Sequence, residues 1–105
     1  MIKVSVLYPN KPGSRFDMDY YVTKHIPLAR RLLSNGLRKT EVDAGLAGTA
    51  PGEPPAFLGG CQFYFDSIDA FAAAWGGAAA EVTADISNYT DVAPLIQFNE
   101  LKVSV

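Results

Sequence analysis

The sequence predicts an α+β fold in the order strand, helix, strand, strand, helix, strand, the ferredoxin-like βαββαβ plan with a four-stranded antiparallel sheet. Three observations carry that expectation. Residues 2–8, IKVSVLY, alternate with the two-residue period of a strand. Residues 16–33, FDMDYYVTKHIPLARRLL, bring apolar side chains back at helical spacing. A second helical run, opened by Ser67 and broken by Gly76-Gly77, separates two later stretches of strand alternation.

In the first strand Ile2, Val4, Val6 and Tyr8 share one face, and Lys3, Ser5 and Leu7 the other. Pro9 to Arg15 is a loop by its prolines and glycine. It delivers the chain to Asp17, whose short carboxylate can accept from the free N–H groups of a first helical turn and suits the positive end of the helix dipole. Met18, Tyr21, Val22, His25, Leu28, Ala29, Leu32 and Leu33 then draw an apolar stripe, opposite Asp19, Tyr20, Thr23, Lys24, Arg30 and Arg31. Pro27 removes the N–H that would bond the Thr23 carbonyl, so a bend is expected one turn from His25. Asn35-Gly36 suits the end of this helix near Ser34.

Alternation returns from Leu37 to Leu46, with Thr40, Val42, Ala44 and Leu46 inward. Ala47 to Ala56 specifies no regular element. Phe57 to Phe65 is a strand with Phe57, Cys61, Phe63 and Phe65 on one face, in which Gly59-Gly60 marks a bulge or a close approach. Ser67 caps a helix in which Ile68, Phe71, Ala72 and Trp75 share a face; the glycine pair predicts a bent helix or two short ones. After a turn at Ser87 to Val92, the last strand, LIQFNELKVSV, alternates in two phases, which predicts a bulge near Asn99 or Glu100 or a change of partner.

At 105 residues the chain suits one domain, residues 1–105, with a single core that oligomerisation would help to cover. A formal charge of -2 gives no basic field for nucleic acid or an anionic membrane. One cysteine and one histidine cannot build a structural zinc site, so no metal is expected. The lone cysteine, with no signal peptide or long apolar segment, reads as cytosolic. No glycine-rich phosphate loop follows a strand, and no cofactor is expected. The sheet face turned away from the helices carries Leu7, Leu58, Tyr64, Leu101 and Val103, which predicts a homodimer joined sheet to sheet.

His25 is the residue on which function turns. An inward histidine beside a bend is either a core residue satisfied by a backbone carbonyl or a titratable group facing a cavity. The chain resembles the EthD-like proteins (ethyl tert-butyl ether degradation) of the dimeric α+β barrel superfamily. The likeness rests on IKVSVLY, on Phe16-Asp17-Met18-Asp19-Tyr20-Tyr21 with His25-Ile26-Pro27-Leu28, on the passage from Phe63 to Phe71, on Asp85-Ile86-Ser87-Asn88-Tyr89-Thr90, and on Pro94-Leu95-Ile96-Gln97. It implies a subunit that pairs sheet to sheet, a pocket between helices and sheet lined by the first helix, and His25 in that pocket. Members resemble accessory proteins of oxidative degradation, often labelled oxidoreductases. Relatives on the same plan include cofactor-free monooxygenases, muconolactone isomerases, polyketide cyclases and haem binders, and the likeness here is to the haem-free group.

Two functions compete. In the first, a small apolar organic molecule binds without metal or nucleotide, His25 is general acid or base, and Tyr21 one turn earlier lends a hydroxyl. Phe63, Phe65, Trp75 and Phe98 then form the apolar wall. In the second, the chain is a carrier or accessory subunit that shields a hydrophobic compound for a partner oxidase and moves no proton. Cys61, in a strand without a basic neighbour, reads as an inert thiol, and Ser67 as a cap.

Overall fold

The computed structural model describes residues 1–105. Its elements are β1 (Ile2–Pro9), α1 (residues 18–32), β2 (Lys39–Ala44), β3 (Phe57–Phe65), α2 (Ile68–Trp75), α3 (Ala79–Asp85), a 3-10 turn at Ile86–Asn88 and β4 (Leu95–Glu100). The four strands form one antiparallel sheet in the order β2-β3-β1-β4. This is the expected α+β plan. Val4 pairs with Phe63 on one side and Phe98 on the other, and Val6 with Cys61 and Ile96, so one sheet face is apolar across three strands. The helices cover that face, and Val4, Tyr8, Cys61 and Phe65 are buried beneath Ile26, Ala29 and Leu33 of α1 and Val82 of α3. No helix is long and apolar enough to cross a membrane.

α1 departs from regular geometry where the proline and histidine fall. Asp17 caps it as expected, its carboxylate accepting from the Tyr20 N–H at 3.0 Å. The backbone then passes through a π-helical stretch at Tyr21–His25, in which the Ile26 N–H reaches back to the Tyr21 carbonyl, and returns to α-helix at Ile26–Leu32. The anticipated disturbance is thus a widened turn just before Pro27, which has no N–H to restore the regular ladder. That extra residue slips the buried stripe by one position. Tyr21 and His25 are buried as the helical period requires, but the stripe continues through Ile26, Ala29 and Leu33, while Val22 is 48% exposed. Leu28 and Leu32 are only half-buried.

The remaining differences lie at element ends. β2 is shorter than residues 37–46, its pairing closed by the Arg38 N–H on the Tyr64 carbonyl at one end and the Gly45 N–H on the Leu58 carbonyl at the other. Gly76-Gly77 divides the second helical run into α2 and α3. β4 keeps one unbroken register with β1 from Leu7 opposite Leu95 to Ile2 opposite Glu100, so the bulge expected near Asn99 is absent. The second phase of LIQFNELKVSV belongs to residues past the strand, where Val103 is 75% exposed. Val103 is therefore not part of the open sheet face, while Leu101, beyond the strand end, continues the ladder through its N–H on the Met1 carbonyl at 3.1 Å. That face carries Leu7, Leu58, Tyr64 and Leu95 around a polar centre. There Ser5 donates to Gln62 and accepts from Asn99 at 2.9 Å. The irregularity sits instead in the β1–β3 pairing between Tyr8 and Pro9, next to Gly59. A Cβ on Gly60 would strike the Val6 carbonyl, and one on Gly59 would lie 2.8 Å from the Asp43 carbonyl, so both glycines mark close backbone approach.

The approach to α1 is fastened to the segment after α3. The Asp17 N–H bonds the Tyr89 carbonyl at 2.8 Å, the Arg15 guanidinium donates to the Ser87 carbonyl, and the Thr90 hydroxyl donates to the Arg15 carbonyl at 2.6 Å and accepts from the Val92 N–H. Thr90 is only 3% exposed. Thr90→Val keeps the side-chain volume but strands the buried Val92 N–H and the part-buried Arg15 carbonyl, and should cost about 1–3 kcal/mol in urea unfolding. A loss below about 0.5 kcal/mol would mean the fastening is not structural.

Candidate functional site

The fastening brings together groups that are sixty and more residues apart. His25, projected inward by the widened turn of α1, places Nδ1 2.9 Å from Asp85 Oδ2 at the end of α3. Its Nε2 lies 3.2 Å from the Tyr89 hydroxyl, and that hydroxyl lies 2.5 Å from the hydroxyl of Tyr8 on β1. The other Asp85 oxygen accepts from Tyr20 at 2.7 Å and from Asn88 at 2.9 Å. The result is one hydrogen-bonded row, Asp85, His25, Tyr89, Tyr8, that starts at a 14% exposed carboxylate and ends at phenols sealed in the core. Tyr21 stacks on the imidazole with ring centroids 5.7 Å apart and planes 13° apart, and Phe16 packs edge-on against Tyr8, Tyr21 and Tyr89.

The donor inventory fixes the protons. Burial alone would raise the Asp85 carboxyl, but the bonds from Tyr20, Asn88 and His25 outweigh it and hold the group below its ordinary value, so it is an acceptor at neutral pH. Nδ1 of His25 therefore carries the hydrogen. Burial depresses the imidazole below 6.5, although Asp85 pulls the other way, so Nε2 is a free lone pair accepting from Tyr89, which in turn accepts from Tyr8. Burial pushes Tyr8 up to about 12 and raises Tyr89 further, so both phenols remain protonated.

Beside this row lies a cavity of about 450 Å³ between the helices and the sheet. Its wall is apolar, built from Phe63 on β3, Phe71 and Trp75 on α2, and Ile96 and Phe98 on β4. His25, Tyr8 and Tyr21 reach it, whereas Asp85 and Tyr89 stand behind it. His25 thus combines features of both sequence readings: it is buried in the core, but it is held by a carboxylate and a phenol, not by a backbone carbonyl, and it borders a cavity. Tyr21 borders it too, yet its hydroxyl is buried with no hydrogen-bond partner and lies outside the row, towards the Cys61 thiol. Of the four aromatic residues assigned to the wall, Phe63, Trp75 and Phe98 line the cavity. Phe65 does not: it lies at the far end of β3, fully buried against Phe71 and beside Gly36, because it is the last residue of its strand. Cys61 is inert, its thiol pushed up to about 12 by burial.

Sequence periodicity missed Asp85, Tyr89, Tyr8 and Tyr20 as site residues. Tyr8 reads as one more inward position of a strand, and Tyr20 as a solvent-side residue of α1. Asp85 and Tyr89 lie where helix gives way to turn, and spacing there carries no facial signal. The one available hint was that DISNYT, residues 85–90, carried part of the family resemblance.

Because His25 is the only histidine, its titration is isolated from all others. The unfolded chain takes up a proton near pH 6.5 that the folded chain resists, so stability is full above that pH and falls as the pH drops towards the lower folded value. Unfolding free energy should decline from pH 7.5 to 5.5, and the decline should vanish in His25→Gln. Its imidazole resonances should titrate with a midpoint below 6.5; a midpoint above 6.5 would show that Asp85 outweighs burial.

The model of the EthD domain family matches residues 14–93 of this chain. Among solved structures, an EthD-like protein from Ralstonia eutropha JMP134 is 44% identical over 99% of this chain and 94% of that one, with a TM-score of 0.95. An ethyl tert-butyl ether degradation family protein from Bacillus halodurans C-125 is 23% identical over 96% of this chain and 98% of its own, with a TM-score of 0.73. A protein of unknown function from Nitrosomonas europaea, 20% identical over 99% and 91% with a TM-score of 0.60, shares the fold. No curated protein matches the chain. The family match spans the helix that carries His25 and the segment that carries Asp85 and Tyr89, and the chain belongs to the EthD family.

Proposed function

We propose that the protein binds an apolar organic molecule in the helix-to-sheet cavity and exchanges a proton with it, with His25 as acid and base. The observation that carries this reading is the row Asp85, His25, Tyr89, Tyr8 set against an apolar cavity wall. A neutral imidazole whose far nitrogen is tied to a carboxylate is poised to accept a proton, since the imidazolium it becomes is paired at once with Asp85. The proton enters at Tyr8. As the substrate's C–H or O–H bond breaks, its proton joins the Tyr8 oxygen, the Tyr8 proton passes to Tyr89, and the Tyr89 proton passes to Nε2. The bonding pair stays on the substrate as an enolate- or phenolate-type anion, and return of the proton reverses the sequence. Tyr21 contributes its ring, which holds the imidazole plane.

This is proton work. It suits the accessory part in oxidative degradation that the resemblance to EthD-like proteins implies: this chain holds and deprotonates the compound, and a partner oxidase moves the electrons. The same chemistry alone would make a cofactor-free isomerase or lyase. The reading includes a homodimer through the open sheet face, supported by Leu7, Leu58 and the 58% exposed Leu95 around the Ser5, Gln62 and Asn99 centre.

The test uses 2-tetralone, an apolar ketone with acidic C–H bonds. The protein in deuterated buffer should accelerate exchange of those hydrogens, and His25→Gln should lose about 10²- to 10⁴-fold of the acceleration with affinity unchanged within about threefold. Binding without acceleration in the unaltered protein would reject proton transfer in favour of the carrier. Light scattering should give twice the monomer mass, and a monomer would remove the dimer from the reading.

A further inference from the structure

We infer that the ligand of this cavity is a planar aromatic molecule of at least two fused rings bearing an oxygen, and not a small branched aliphatic ether. The inference rests on the cavity being the ligand site, but not on proton transfer. Size is the first argument. A cavity of about 450 Å³ lies within the roughly 300–1,000 Å³ range of sites for drug-sized ligands, and a molecule as small as ethyl tert-butyl ether leaves most of it unfilled.

The second argument is what the wall is made of. Rings reach the cavity from two helices and from the sheet. Tyr21 and His25 on α1 form one near-parallel pair, and Phe71 and Trp75 on α2 form another, with planes 16° apart. Phe63 comes from β3, and Phe98 on β4 stands edge-on to Phe71, centroids 5.3 Å apart and planes at 70°.

Aromatic residues often do no more than fill a core, and Phe65 does that, fully buried away from the cavity. The rings at the mouth are different. Phe98 is 44% exposed, and Phe71 and Trp75 are only half-buried, so beyond their contacts with one another these rings keep apolar surface uncovered. An aliphatic ligand would gain from such a wall only by burying area. A planar ring gains in addition from offset stacking and edge-to-face contacts, which together favour it by roughly tenfold at equal size. The oxygen follows from the polar side chains on the wall: His25 and Tyr8 gather at one end and can meet it, while Thr83 and Tyr21 are the other hydroxyl-bearing residues of a mostly apolar lining, so a heavily oxygenated ligand would bury groups unpaired.

The experiment compares 2-naphthol, decahydro-2-naphthol and ethyl tert-butyl ether by isothermal titration calorimetry on the intact protein. The first two share a skeleton and a hydroxyl and differ in planarity and π-electrons. 2-Naphthol should bind about tenfold tighter than its saturated analogue, the ether should be weakest, and the indole resonance of Trp75, the only tryptophan, should shift on saturation with 2-naphthol. Phe98→Leu, at an exposed edge position, should bring the two bicyclic ligands towards equal affinity. The preference is read as equilibrium binding alone, so its absence and the absence of proton exchange with 2-tetralone are separate results. Equal affinities within about twofold, or an ether that binds tightest, would overturn it.

Discussion

The row of hydrogen bonds from Asp85 through His25 and Tyr89 to Tyr8 is the interaction on which the rest of this protein depends. It places a carboxylate, an imidazole and two phenols under the helices of a small apolar domain, where an unpaired polar group would be costly. The row is tolerable because each member completes the next: the carboxylate takes the imidazole N–H, the imidazole lone pair takes one phenol, and that phenol takes the other. Asp85 also gathers Tyr20 and Asn88, which supply the donors that burial would otherwise deny it. The row joins α1, the end of α3 and the central strand β1, so the core is held by directional bonds as well as by apolar contact.

The widened turn in α1 belongs to the same constraint. A regular helix would have carried the apolar stripe through Val22 and Leu28. Tyr21 and His25 keep the face that meets Asp85 and Tyr89, and the extra residue at Tyr21–His25 brings Ile26, Ala29 and Leu33 onto the sheet after them. Proline directly after the widened turn makes a return to the regular ladder unavailable at that position. The local irregularity and the site are one feature, in keeping with the frequency of π-bulges at functional positions.

A titratable row beside an apolar cavity sets up a division of labour. The wall is made of rings and aliphatic side chains, while the row, one layer back, reaches the cavity only through His25 and Tyr8, which is the arrangement that the proposed binding and proton transfer call for. Asp85 at the outer end keeps partial contact with solvent. The family match covers Asp85, His25 and Tyr89 of the row and Phe63, Phe71 and Trp75 of the wall, and it leaves Tyr8, Ile96 and Phe98 outside its bounds.

By itself the sequence determined the α+β plan, the caps at Asp17 and Ser67, the inward face of β1 and β3, and the inward position of His25, because each is written in local spacing or in the conformational limits of one residue type. Its reach ended where neighbours in space are far apart in the chain. Nothing near His25 announces Asp85 or Tyr89, and the reading that paired it with Tyr21 took the nearest hydroxyl on the same helix face, whereas the bonded hydroxyl comes from a turn sixty-four positions away. Phe65 looked equivalent to Phe63 by alternation, yet only the closing of α2 over the sheet decided which of the two faces the cavity. Tertiary structure settled these points because a site is made by long-range packing, and periodicity reports the side of an element on which a residue lies but not what waits on the other side.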